Sequence, residues 1–368
     1  MLIYLFIIVL VIHAFIHLTG LVKISGSHSA LPLVQNFYRG PALWWLLACM
    51  LLLLVAALLL VNNDSWYLIA IGAIIISQVL IIKNWKSAKW GSIINLVILL
   101  AAITTFANTR FNKMAATESR TILARAGDKQ HPVMTKEMLN DLPAVVQKWL
   151  KHAGVIGNKR INTVRLKQRG ELRTSQSGKW MAFTASQYFT MDDPAFVWTA
   201  SVAMMPMVFF DARDKFENGR GASAIKLFAI FDMGSSANDY KTNTASMLRY
   251  LAETCLFPSA AISDCIQWQP AGVLSAKAIM TIDGLTVSGI FTFLENGDVE
   301  SFIADRFYGN GLNARTEPWL IRFTEWRTFQ GYRIPVKNKV IWQLPAGDFY
   351  WANIEITEVE YNCTKTYD

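Results

Sequence analysis

The sequence predicts an N-terminal region of four transmembrane helices followed by an α+β domain, a curved antiparallel sheet or half-barrel with packed helices. Three observations lead there. Charge is sparse up to Asn108, where it is confined to Lys23, Arg39, Asp64, Lys83, Lys86 and Lys89, and reaches the density of a soluble protein afterwards. Four apolar runs in that first part approach the length of about 20 residues that a helix needs to cross a hydrocarbon core. From Arg160 onward the apolar period becomes two, broken by tight-turn dipeptides. The expected divisions are spans in 1–110, a polar linker or helix extension in 111–134, and the β-rich domain in 135–368.

The spans are Leu2–Val22, Leu43–Val61, Trp66–Ile82 and Trp90–Ala107, with Trp44, Trp45, Trp66, Tyr67, Trp85 and Trp90 near their ends, where amphipathic rings favour the interface. Leu2–Val22 lacks a basic leader and a small-residue cleavage site, so it is expected to be retained. Leu46-Leu47-Ala48-Cys49 imitates a lipoprotein processing site inside the second span, where Cys49 is expected to be a buried thiol. Basic residues favour cytoplasmic loops. Loop one carries Lys23 and Arg39, and loop three carries Lys83, Lys86 and Lys89, whereas Asn62–Ser65 carries none. Both termini, and the β-rich domain, are therefore expected outside the cytoplasm, in a multi-pass protein of a bacterial inner membrane.

Polar side chains in lipid usually turn inward and find partners. His13 and His17 share a helix face at i,i+4, and the topology puts His13, Gln78 and Asn95 at one depth. His13, His17, Gln78 and Asn95 are thus expected to form an intramembrane polar cluster. It would serve interhelical hydrogen bonding or, on the sharper reading, a proton, metal or small-ligand site.

In the second part, Asp141 and Pro143 open a short helix with Val145, Val146, Trp149 and Leu150 on its apolar stripe, closed by Gly154. Strands are expected at Val164–Gln168, Trp180–Thr190, Phe196–Ala203, Met207–Phe216 and, after the Asn218-Gly219 turn, Ala222–Phe231. A helix at Asn243–Cys255 interrupts them, stopped by Pro258. Strands resume at Lys277–Ile282, Thr286–Leu294, Glu300–Arg306, Trp319–Thr328, Lys337–Leu344 and Phe349–Tyr361. About ten strands joined by tight turns demand antiparallel pairing.

The net charge of +8 comes from scattered bases and no nucleic-acid motif occurs, so no nucleic-acid partner is expected. The five histidines (His13, His17, His28, His131 and His152) all precede the sheet. A sheet without histidine holds no Ser-His-Asp triad or histidine-ligated zinc of its own. There is no P-loop, dinucleotide fingerprint or Gly-x-Ser-x-Gly elbow. No cofactor, metal or catalytic residue is expected. The carboxylate pairs Asp192/Asp193, Asp211/Asp214 and Glu355/Glu358 read as solvated turn or strand-surface groups. Cys255 and Cys265 form a candidate disulfide or remain two thiols.

A curved sheet offers an apolar cavity. Met204, Met205, Met207, Phe209, Phe210, Phe228 and Phe231 suit an irregular ligand, though core packing explains them too. Candidate ligand-binding residues facing inward are Gln168, Gln187, Trp198, Arg249 and Glu253.

Several segments together resemble an uncharacterised bacterial family, a domain of unknown function found in membrane-anchored proteins. They are Leu142-Pro143 with Trp149-Leu150, Gly154-Val155-Ile156-Gly157, Gln168-x-Gly170, Trp180-Met181, Gln187-Tyr188, Pro194–Trp198, Arg249–Glu253 with Phe257-Pro258, and Tyr361-Asn362. Cys255-Leu256 departs from the bulkier apolar or aromatic residues expected there. More distantly, Gly331-x-Arg333-Ile334-Pro335 and the final strands look like the LolA-like lipoprotein-carrier half-barrel, which implies a curved sheet. The functional expectation is an envelope protein that binds a lipid or other apolar ligand. The alternatives are a module recruiting an envelope protein partner and an enzyme acting on lipid or glycan.

Overall fold

The computed structural model describes residues 2–22, 42–127, 132–205, 208–309 and 314–367. Lys23, His28, Arg39, His131 and Met207 lie outside the described residues. The chain divides into two compact units, Met1–Asn112 and Lys113–Asp368.

The first unit holds α1 (Leu2–Val22), α2 (Ala42–Leu60), α3 (Trp66–Lys83), the short α4 (Trp85–Ala88) and the start of α5 (Gly91–Ala126). Among the described residues three helices, α2, α3 and α5, are long and apolar enough to cross a membrane. Three of the four expected spans are thus present; in α1 the apolar run among the described residues, Ile3–Thr19, is shorter than the other three. Large apolar side chains point outward, including Leu43, Leu68, Ile75 and Leu96, while Leu10, Leu52, Val55 and Ile98 fill the interior. An aqueous surface does not tolerate so much exposed hydrocarbon. Of the two alternatives for the segment after the fourth apolar run, the helix extension is the one seen through residues 111–126, which continue α5.

In the second unit α6 (Ala144–His152) precedes six strands: β1 (Thr163–Leu172), β2 (Met181–Thr190), β3 (Ala195–Met205), β4 (Val208–Glu217), β5 (Arg220–Leu227) and β6 (Phe231–Ala237). After α7 (Tyr240–Glu253) come β7 (Ile266–Gly272), β8 (Ser275–Ile282), β9 (Leu285–Phe293), β10 (Val299–Tyr308), β11 (Arg315–Phe329), β12 (Tyr332–Leu344) and β13 (Gly347–Tyr361). They make one 13-stranded sheet in the order β6-β5-β4-β3-β2-β1-β13-β12-β11-β10-β9-β8-β7. The ladders are antiparallel, for example Gln168 opposite Ala185 and Trp198 opposite Asp214. Two meanders therefore meet where β1 pairs with β13. The edge strands β6 and β7 do not pair with each other, so the sheet is not closed.

The sheet is nevertheless strongly curved. Helix α7 packs against β4 and β5 and also against β9 and β10. β5 and β10 stand eight places apart in the order, about 38 Å in a flat sheet at ~4.8 Å per strand. A helix with its side chains is only about 10–12 Å across. The two wings must therefore wrap around α7. The turns agree: a Cβ added at Gly219, between β4 and β5, would lie 3.5 Å from Asp283, between β8 and β9.

Local chemistry sets the elements. Asp239 accepts from the Thr242 N–H at 3.0 Å and so starts α7 three residues before the expected Asn243. Met247, Leu248, Tyr250 and Leu251 are its buried stripe. Gly154 follows α6 at φ +75°, and a Cβ there would come within 2.4 Å of the Gly331 carbonyl. The expected strand Ala222–Phe231 is two strands, because Phe228 and Ala229 turn the chain at φ +53° and +56°. Strand β7 escaped the pattern since it carries Pro270, which an edge strand tolerates.

Candidate functional site

The inward face of the sheet is apolar with a few polar insertions, each in phase with buried neighbours. Gln168 follows Val164 and Leu166 on β1, and Gln187 sits between Ala185 and Phe189 on β2. Trp198 follows Phe196 on β3, and Asp214 sits between Ala212 and Phe216 on β4. Strand period two sends each of these toward the interior. There they meet the last turn of α7, which supplies Arg249 and Glu253 at i,i+4.

The five candidate ligand-binding residues form one continuous network. Trp198 Nε1 donates to Gln168 Oε1 at 2.8 Å, and Gln168 Nε2 donates to Gln187 Oε1 at 3.4 Å. Gln187 Nε2 donates to Glu253 Oε2 at 2.9 Å. Arg249 bridges Glu253 at 3.2 Å and Asp214 at 2.8 Å, with its guanidinium 4.7 Å above the Trp198 ring. Ser223 Oγ donates to Asp214 Oδ1 at 2.6 Å. Asp214 is thus an inner group of the site, a correction to its reading as a solvated carboxylate. Burial lifts the Glu253 carboxyl above its ordinary value, opposed by Arg249 and by the Gln187 hydrogen bond.

Beside this network lies a cavity of about 480 Å³. Its apolar wall includes Met181, Phe183, Val202, Phe210, Ile321 and Val340, and Arg249 and Glu253 lie on its α7 side. The volume falls within the roughly 300–1,000 Å³ of ordinary small-molecule sites. Of the Met and Phe residues expected to serve a ligand, Phe210 reaches the cavity, whereas Met204, Phe209 and Phe231 are exposed.

The remaining candidates are placed elsewhere. Glu355 and Glu358 make cross-strand ion pairs with Arg169 and Lys167. Asp192 and Asp193 are exposed in the β2–β3 turn. Cys255 and Cys265 are both free: Cys255 donates to the Ala252 carbonyl at 3.3 Å, and Cys265 lies 3.3 Å from Ser263 Oγ. Among the described residues no group of three or more His, Cys, Asp or Glu is placed to hold a metal.

In the first unit, His13, His17, Gln78 and Asn95 come together around Ser77. His13 Nε2 lies 3.1 Å from Asn95 Oδ1, and His17 Nε2 lies 3.0 Å from Ser77 Oγ. Ser77 donates to Asn95 Oδ1 at 3.1 Å, and Asn95 donates to Gln78 Oε1 at 3.0 Å. Gln78 in turn donates to Ser92 Oγ at 3.0 Å. Three helices are linked by this chain of bonds.

A family of unknown function, DUF6544, matches residues 132–354, well over half of the chain. The chain belongs to the DUF6544 family. Comparison with curated proteins finds no match. Among solved structures it is similar to a LolA superfamily protein from Nitrosomonas europaea, at 8% identity and TM-score 0.35, covering 59% of this chain and 94% of that one. A second is a putative outer membrane lipoprotein-sorting protein domain from Vibrio parahaemolyticus, at 8% identity and TM-score 0.31, covering 54% and 85%. A third is a DUF1329 family protein from Desulfovibrio piger, at 12% identity and TM-score 0.30, covering 60% and 93%.

The DUF6544 region contains the whole cavity network, including two residues that sequence reasoning missed. Arg306 on β10 is in phase with the buried Phe302 and Ala304, and Asn338 on β12 with Val336 and Val340. Both line the cavity. Their phase was the available signal: a charged or amide side chain in register with core residues points inward.

Proposed function

We propose that the DUF6544 region binds an apolar ligand, a lipid acyl chain first among them, and that the N-terminal helices hold it at a membrane. The observation that carries this reading is the cavity of about 480 Å³, walled by hydrocarbon and bordered by one ordered polar network. A filled core would have no such space, since interiors pack with few voids larger than a water molecule. The network fixes the cavity's shape, because each of its hydrogen bonds links two different elements or two turns of α7. In this reading α1 completes a fourth span and the β-rich unit lies outside the cytoplasm.

Organic extraction and mass spectrometry of the purified full-length protein tests the binding. Wild-type protein is expected to retain a lipid in near-stoichiometric amount, and Val202→Trp, which fills the cavity, is expected to lose it while keeping its melting temperature. Protein that neither retains nor takes up lipid overturns the reading.

A second reading, hydrolysis of a membrane lipid or glycan, draws on the raised carboxyl of Glu253 beside Asp214. It requires that Glu253→Gln abolish turnover while sparing binding.

A further inference from the structure

One charged group on the cavity wall has no polar partner among the described residues. Arg306 makes no hydrogen bond or ion pair with any described residue, and its Nε is buried. The two carboxylates nearby are already engaged: Asp214 by Arg249 and Ser223, and Glu253 by Arg249 and Gln187. Arg306 is instead held by aromatic faces. Its guanidinium carbon lies 4.5 Å from the centre of the Trp319 ring and 5.8 Å from that of Trp342. Stacking uses the flat faces of a guanidinium and leaves its in-plane N–H donors free. Desolvating an unpaired charge is costly, and burial, helped by Arg249, pushes Arg306 down to about 10.

The surroundings show the same imbalance. Among the described residues, Trp319 Nε1, in a ring only 3% exposed, and Trp351 Nε1 are buried donors without an acceptor, and Asn338 Oδ1 is a buried acceptor without a donor. All three residues line the cavity with Arg306. The unmatched set is mainly donors around a fixed positive charge. Native interiors satisfy their buried polar groups, so these donors call for an acceptor from outside the chain, a water or a ligand oxygen.

We propose that the cavity takes an amphiphile with an acyl chain and an anionic head, a carboxylate or phosphate seated on Arg306. This rests on the apolar-ligand reading above and specifies its chemistry. Planar N–H donors on a stacked guanidinium match two oxygens of such a head. The apolar wall takes the tail.

The test uses full-length protein in nanodiscs of zwitterionic lipid. A hexadecanoic acid probe carrying a diazirine and an alkyne is photo-crosslinked, and labelled peptides are mapped. Unlabelled hexadecanoate, hexadecyl phosphate and hexadecanol compete. Labelling is expected on cavity strands, with at least one of the two anions competing about ten-fold better than the alcohol, a difference of about 1.4 kcal/mol. The stronger anion identifies the head group. Arg306→Gln is expected to remove that preference and Arg306→Lys to retain part of it. Melting curves confirm that both variants fold, and Asn338→Leu, which leaves the charge in place, is a second probe with a smaller loss. Alcohol and anions competing equally on wild type overturns the anionic head but leaves the apolar cavity standing. Absence of cavity labelling by any probe overturns both.

Discussion

Gln187 donates to Glu253 at 2.9 Å, tying the middle of β2 to the last residue of α7. Gln187 is fully buried, so no water replaces a lost partner. Glu253→Ala would leave Gln187 and one side of Arg249 unsatisfied, at a cost of about 2–3 kcal/mol. The pH dependence has a definite sign. A carboxyl raised by burial binds its proton more tightly in the folded state than in the unfolded chain. Its contribution is complete below the ordinary glutamate range and fades as pH rises through the raised value. Glu253→Gln is expected to flatten that decline in a melting-temperature series from acid to neutral pH.

Asp298 gives the opposite slope. It receives two N–H bonds from Arg333, at 2.8 and 2.9 Å, and lies 3.2 Å from His152 Nε2. Burial alone would raise its carboxyl, but Arg333 and Asn296 outweigh it and hold it below the ordinary aspartate range. This contribution is present above that range and is lost as pH falls through the lowered value. Asp298→Asn is expected to cost about 2 kcal/mol at neutral pH. The difference from wild type should shrink in acid, as read by thermal melts at each pH.

Legibility differed by element for physical reasons. Strands with a period of two, such as β1 and β9, were plain in the sequence, as was the Asn218-Gly219 turn. Edge strands were not: all of β6 is exposed, so it has no buried register to display, and β7 carries a proline. The same logic divides the site. Gln168 and Gln187 stood out as uncharged polar residues in core phase. Asp214 read as solvated, and Arg306 was missed, because charge normally marks the outer face. What reverses that is a neighbour from another strand or helix, Arg249 for Asp214 and the Trp319 ring for Arg306, and such neighbours are visible only once the sheet has curled.

Asn95 is the hub of the first unit's polar chain, accepting from Ser77 and donating to Gln78. In lipid the separated helices also find partners for their polar groups, so such bonds are worth about 0.6 kcal/mol on average and at most about 1.7. Asn95→Val is therefore expected to lower stability by about 1 kcal/mol in a detergent-denaturation titration of the full chain, without loss of retained lipid. Loss of lipid from this variant would join the two sites functionally.

The proposed placement of the β-rich unit outside the cytoplasm makes a positional prediction. Lys83, Lys86 and Lys89 crowd the turn between α3 and α5, whereas Asn62–Ser65 between α2 and α3 has no base. Translocating three lysines against the charge bias is unfavourable, so that turn is expected to stay cytoplasmic and the Asn62–Ser65 turn is not. Alkaline phosphatase, which is active only after export, is expected to be active when fused after Asn63 or after Asp368 and inactive when fused after Lys86. Activity at Lys86 with silence at Asp368 would invert the topology and place the cavity in the cytoplasm.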